Sequence, residues 1–133
     1  MKIYFAGAIR SGREKVGDYK KIVDELEKYG EVLTKHIADV NLSVKGENLT
    51  PEEIYLRDIK WLEESDIVFA EITVPSLGVG YELAYAESKN KKVICVYEND
   101  KNISGMIRGN KKFIQIPYTT VEELIKKIHE ILK

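Results

Sequence analysis

Short apolar runs alternate along this chain with longer stretches whose apolar residues recur at helical spacing. Lys2 to Gly7 reads as a first strand, and Glu14 to Tyr29, with Val16, Ile22, Val23 and Leu26 on one side, reads as a helix stopped by Gly30 at the C′ position. Glu31 to Ile37 reads as a second strand and Asp39 to Leu49 as a polar loop. Thr50-Pro51-Glu52-Glu53 combines an N-cap, a proline in the first turn and a capping-box glutamate, and predicts a helix to about Glu64. Asp66 to Ile72 is nearly continuously apolar, as expected of a strand buried on both faces. A turn-rich loop over Thr73 to Val79 leads to a helix from Gly80 to Asn90. Lys92 to Glu98 and Lys112 to Pro117 read as strands 4 and 5, with a helical turn at Ile103 to Gly109 between them. Thr120 and Glu123 form a capping box for a last helix ending at Leu132.

This alternation predicts an α/β fold: a single-domain, three-layer sandwich spanning residues 1–133, with a five-stranded parallel sheet between helices. Five strands in so short a chain suggest the flavodoxin-like, Rossmann-like order 2-1-3-4-5. Ligands then bind beyond the carboxyl ends of strands 1 and 3, where the order reverses. The loops there are Gly7 to Arg13 and Thr73 to Glu82, the two most unusual stretches of the chain.

Composition narrows the function classes. The 133 residues carry a net charge of -1 with Lys and Glu interspersed, which argues against a nucleic-acid polymer as partner but not against a single nucleotide. No apolar run approaches the roughly 18 residues of a membrane span, and the chain enters its first strand without a signal-peptide pattern. Cys95 is the single cysteine, within an apolar strand, and reads as a buried thiol. One cysteine with His36 and His129 far apart cannot form a zinc cluster. These features point to a cytoplasmic protein and imply neither metal nor cofactor.

Gly7-Ala8-Ile9-Arg10-Ser11-Gly12-Arg13 follows a strand and opens a helix, a setting in which free N–H groups and Arg10 can grip an anion. It is not a P-loop, because Arg13-Glu14 replaces the Lys-Ser/Thr pair, and the middle glycine of GxGxxG is missing. A purely structural turn fits equally. In Pro75 to Glu82, two glycines, a serine and a glutamate surround a helix start. A carboxylate in the first helical turn is favoured in its ionised form by the helix dipole and suits a nucleophile or base. The plainer alternative is that Glu82 only complements the helix end, and the residues alone leave both open. Asp58, beside Arg57 and Lys60, reads by itself as a solvated helix face, Tyr4 as a core aromatic and His36 as a half-buried histidine.

Taken together, these stretches resemble a known family. Ile3 to Glu14, Val32 to His36, Asp58 to Leu62, Ala70 to Thr73, Pro75 to Leu83 and Ser104 to Gly109 run collinear with the 2'-deoxynucleoside 5'-phosphate N-hydrolases, part of the nucleoside 2-deoxyribosyltransferase superfamily. The resemblance implies hydrolysis of a deoxynucleoside monophosphate to free base and 2-deoxyribose 5-phosphate. It implies that Glu82 attacks the anomeric carbon, that Tyr4 positions this carboxylate, that Asp58 handles sugar and leaving base, and that His36 lies nearby. It assigns Gly7, Ile9, Arg10, Ser11, Gly12, Ser76, Gly78, Ser104 and Met106 to substrate binding. Arg10, Ser76 and Ser104 contact the phosphate, with Ser104 supplied by the other subunit of a homodimer.

The chain departs from the family's first loop at Ala8, where serine is common, and at Ser11, where glycine is common. One phosphate contact is then missing or comes from Ser11. Three rival functions remain in view: a deoxyribosyltransferase that passes the sugar to another base, a non-catalytic nucleotide sensor, and a flavin electron carrier. The phosphate set favours hydrolysis over transfer. Two carboxylates beside a phosphate argue against a sensor, since they repel the ligand.

Overall fold

The computed structural model describes residues 1–9, 15–39, 41–42 and 47–133. Its strands are β1 (Lys2–Ala6), β2 (Glu31–Val32), β3 (Ile67–Glu71), β4 (Lys92–Glu98) and β5 (Ile114–Tyr118). Its helices are α1 (Val16–Leu26), α2 (Pro51–Glu64), α3 (Leu77–Ser88), α4 (Gly105–Arg108) and α5 (Val121–Leu132), with a 3-10 turn over Lys35–Ala38. All strand pairings are parallel and the sheet order is β2-β1-β3-β4-β5, as the alternation of elements predicts.

Side chains alternate across the sheet and build two cores. Ile3, Phe5, Phe69, Ile94 and Val96 pack under Tyr19, Ile22 and Leu26 of α1 and Leu124 and Ile128 of α5. Tyr4, Ala6, Val68, Ala70 and Cys95 face Leu62 of α2 and Val79, Leu83 and Ala86 of α3. Cys95 is fully buried, and burial pushes its thiol pKa up to about 12, so it is a core side chain. Tyr4 and Glu71, the polar members of the two central strands, therefore lie within the layers and must find partners there.

Several boundaries differ from the sequence-based expectation for local reasons. β2 stops at Val32, five residues early, because the Thr34 hydroxyl accepts from the Phe5 N–H (2.8 Å) and donates to the Phe5 carbonyl (2.6 Å), after which the chain turns into the 3-10 segment. α1 ends at Leu26, followed by a turn. Gly30 is not a left-handed helix stop: a Cβ there would lie 2.3 Å from the Met1 carbonyl oxygen, so close backbone approach selects glycine. Left-handed geometry occurs instead at Asn90 (φ 57°) after α3. There Lys91 N–H reaches the Ala86 carbonyl and Asn90 N–H the Glu87 carbonyl, both at 3.0 Å, the two bonds of a Schellman end. The Thr50–Glu53 capping box forms as expected. Thr120 also caps α5, but Glu123 reaches back to the Thr119 N–H, one residue further.

Candidate active site

Glu82 extends from α3 toward the sheet, where the hydroxyl of the fully buried Tyr4 on β1 donates to its Oε2. α3 begins earlier than the sequence suggests: Ser76 is the N-cap, its Oγ accepting from the Val79 N–H at 3.3 Å. Glu82 therefore sits in the second turn, beyond the helix-end N–H groups. This corrects the expectation that the dipole holds it ionised. Burial dominates, followed by the opposing Tyr4 bond and the charge of Asp58, and raises its pKa from 4.5 to about 7. The same burial, with the charges of Glu82 and Asp58, drives the Tyr4 hydroxyl well above its usual range, so it remains a donor.

Asp58 does not sit on a solvated helix face. Its side chain is 24% exposed and bound to Arg57, whose Nε and Nη2 both lie on Oδ1, at 3.0 and 2.9 Å. The Arg57 guanidinium also reaches Glu47 Oε2 (Nη2, 2.8 Å) and stacks 4.7 Å from the centre of the Trp61 ring. His36 lies on the 3-10 turn, its Nε2 3.1 Å from Glu47 Oε1 and its ring 5.7 Å from that of Trp61. Burial is the main cause of a lowered His36 pKa, with Glu47 opposing, so the ring favours the neutral form. Asp58, Arg57, Glu47 and His36 thus form one bonded polar cluster, whose charges are felt by the Tyr4–Glu82 pair. Arg57 and Glu47 were not among the sequence candidates: the charge beside Asp58 read as solvation, and Glu47 lies in an irregular loop.

The substrate-binding candidates are distributed differently. Arg10, Ser11 and Gly12 lie outside the described residues. Gly7 follows β1, where a Cβ would meet the Tyr19 ring at 2.9 Å, and the Ala8 N–H donates to the Tyr19 hydroxyl at 3.0 Å. Ile9 packs against the α1–α5 core. Gly78 is exposed in the first turn of α3. Ser76, Ser104 and Met106 line an open apolar groove of about 910 Å³ between α3 and α4. Ser104 caps α4 by accepting from the Met106 N–H at 3.2 Å. Met106 is 84% exposed and Leu77, on the same groove, 95%. Glu82, Tyr4, Asp58 and His36 are not among the residues lining that groove.

A second polar cluster escaped the sequence reading. Glu71, fully buried at the end of β3, accepts from the Thr73 N–H (2.8 Å), the Thr73 hydroxyl (2.6 Å) and the Tyr118 hydroxyl of β5. Its signal was the lone carboxylate within the apolar run of strand 3.

A family profile described as nucleoside 2-deoxyribosyltransferase matches residues 3–123. The chain is similar to the 5-hydroxymethyl-dUMP N-hydrolase of Esox lucius, 47% identical over 114 residues that make up 82% of this chain and 79% of that protein. It is similar to the 5-hydroxymethyl-dUMP N-hydrolase of Danio rerio, 48% identical over 112 residues, 82% of this chain and 78% of that one. The solved structure of the CMP N-glycosidase of Clostridium botulinum shares the fold, with a TM-score of 0.74 and 22% identity over 99% of this chain and 100% of that chain. Motif order, sheet order and these matches agree: the chain belongs to the nucleoside 2-deoxyribosyltransferase family.

Proposed function

We propose that residues 1–133 act as a single catalytic domain that hydrolyses the N-glycosidic bond of 2'-deoxynucleoside 5'-monophosphates, releasing free base and 2-deoxyribose 5-phosphate. The observation that carries this reading is the half-buried Glu82, held by the Tyr4 hydroxyl of β1 and close enough to Asp58 to feel its charge. The names of the relatives, N-hydrolases of a deoxynucleotide, support it.

Glycosidic cleavage passes through an oxocarbenium-like state that a carboxylate can capture. The ionised Glu82 attacks the anomeric carbon as the C–N bond breaks. The base leaves with the bonding electron pair and takes up a proton. Water then attacks the same carbon, loses a proton, and frees Glu82. Tyr4 donates to the carboxylate and aims it, and Asp58 adds negative charge near the developing cation. A sugar without a 2'-hydroxyl forms that cation more readily, so side chains suffice. Arg10 and Ser76 hold the phosphate, remote from the reacting carbon, and supply positioning energy.

The active unit in this reading is a homodimer working in the cytoplasm. Exposed Leu77 and Met106 on an apolar groove suit a second copy, and covering that groove would carry Ser104 of one chain to the site of the other. Incubating the protein with deoxynucleoside monophosphates, ribonucleotides and unphosphorylated deoxynucleosides tests the reaction. Free base is expected only from the first. Equal release from the deoxynucleosides would refute the phosphate requirement, and transfer of sugar to an added base in preference to water would favour a transferase. Refolding Glu82→Ala chains together with Ser104→Ala chains tests the dimer: activity returns only if sites are shared.

A further inference from the structure

Arg57 has no part in the mechanism above, yet it is the most heavily bonded side chain of the polar cluster. Its guanidinium bridges Glu47, on the loop before α2, and Asp58, one residue further along the helix, while stacked on Trp61. An arginine fork can only donate. Two of its nitrogens lie within 3.0 Å of Asp58 Oδ1, and their positive charge favours the carboxylate over the acid. Side chains of this length lose much rotamer freedom when fixed. Here Trp61 beneath and Glu47 beyond hold the fork in place without help from Asp58.

We infer that Arg57 is a positioning residue of the hydrolysis: anchored by Glu47 and Trp61, it holds Asp58 as an oriented carboxylate, so that Asp58 acts on the substrate as a negative acceptor rather than as the proton donor. The inference rests on the proposed reaction only for the role it gives Asp58; the charge state itself is tested without turnover. The groups around Asp58 are Arg57 on its own helix, Glu47 from the preceding loop, His36 from the 3-10 turn, and Glu82 of α3 and Tyr4 of β1 across the cleft. Burial raises the Asp58 pKa, the charge and hydrogen bonds of Arg57 oppose this, and Glu47 adds a smaller upward push. Arg57 and Glu47 thus move Asp58 in opposite directions when each is neutralised. A purely structural clamp would not do so.

The experiment is a pH titration of the Asp58 carboxyl by NMR of isotope-labelled aspartate, assigned with Asp58→Asn, in the wild-type protein and in Arg57→Gln, Arg57→Lys and Glu47→Gln. The midpoint is expected to rise by about 1–3 pH units in Arg57→Gln, to return most of the way in Arg57→Lys, and to fall in Glu47→Gln. In the same proteins, the ratio of Arg57→Gln to wild-type base release from deoxynucleoside monophosphate should fall below the shifted Asp58 midpoint, on top of the Glu82 limb common to both, with KM little changed. An unmoved or lowered midpoint in Arg57→Gln, or a raised one in Glu47→Gln, overturns the inference. So does an activity loss that is equal at every pH. If Arg57→Gln does not fold, Arg57→Lys, which keeps the charge but loses the fork, decides: a midpoint above wild type supports the inference and one at or below wild type overturns it. Wild-type protein that releases no base while the midpoints move as stated would refute the proposed reaction and leave the charge assignment of Asp58 standing.

Discussion

Glu82 is held where its charged form is poorly solvated, and replacing it should separate activity from stability. Its pKa rises from 4.5 to about 7 on folding, a figure that already includes the favourable bond from Tyr4. The folded chain therefore keeps a proton that the unfolded chain has released. Between those two values the unfolded state binds fewer protons, so stability falls as pH rises. The contribution is fully present below about 4.5, declines to about 7 and is absent above it. A shift of about 2.5 pH units at roughly 1.4 kcal/mol each gives about 3.5 kcal/mol in all, of which about 3 kcal/mol falls between pH 4.5 and pH 8. In Glu82→Gln the amide still accepts from Tyr4 and does not titrate. Relative to wild type, the variant should gain about 3 kcal/mol more at pH 8 than at pH 4.5, or roughly 10 °C in melting temperature for a domain of this size. Thermal melts of both proteins at the two pH values provide the assay, while base release should drop by several orders of magnitude. A wild-type-to-variant gap that does not change with pH, or one that narrows at pH 8, would refute the burial argument. Near-normal turnover would refute the nucleophile.

Other consequences are as direct. Tyr4→Phe keeps the ring that fills the core but removes the donor that favours the Glu82 carboxylate, so the acid limb of the rate profile should move above its wild-type midpoint near 7; an unchanged limb would show that the bond does not tune Glu82. Gly30→Ala drives a methyl against the Met1 carbonyl and should cost about 1–3 kcal/mol in denaturant unfolding, whereas a loss under 0.5 kcal/mol would show that the backbone there yields freely. Cys95, buried with its thiol pKa pushed up to about 12, should resist thiol reagents at neutral pH until the protein unfolds. Rapid labelling of native protein would contradict its placement.

The sheet and its order were legible because apolar runs and capping boxes are local signals: Thr50 with Glu53, and the unbroken run of strand 3, mark their elements without reference to the rest of the chain. Glu82, Tyr4 and Asp58 could be named from motif order, but not their environments. The true start of α3 depends on which residue caps it, and the choice of Ser76 over a later position puts Glu82 in the second helical turn rather than the first. Arg57 and Glu47 were hidden for a different reason. A basic residue beside an acidic one on a helix is ordinary surface chemistry, and only the return of a distant loop makes it a bridge. Strand 2 is shorter than its composition suggests because, beyond Leu33, a single threonine hydroxyl replaces the ladder.

The Glu71 bond to Tyr118 joins positions 47 residues apart and makes the outermost strand a party to the shape of the crevice. Thr73, which the same carboxylate holds, opens the segment that carries Ser76. During synthesis, then, every candidate catalytic side chain emerges well before the strand that fixes this loop. A fragment ending after α3 would own Tyr4, His36, Asp58 and Glu82 and still lack Ser104 and the latch that sets the loop. The protein should accordingly gain activity late and all at once as the chain is completed, and a split placed between α3 and β4 should yield halves that are inert apart and active only when β5 is supplied.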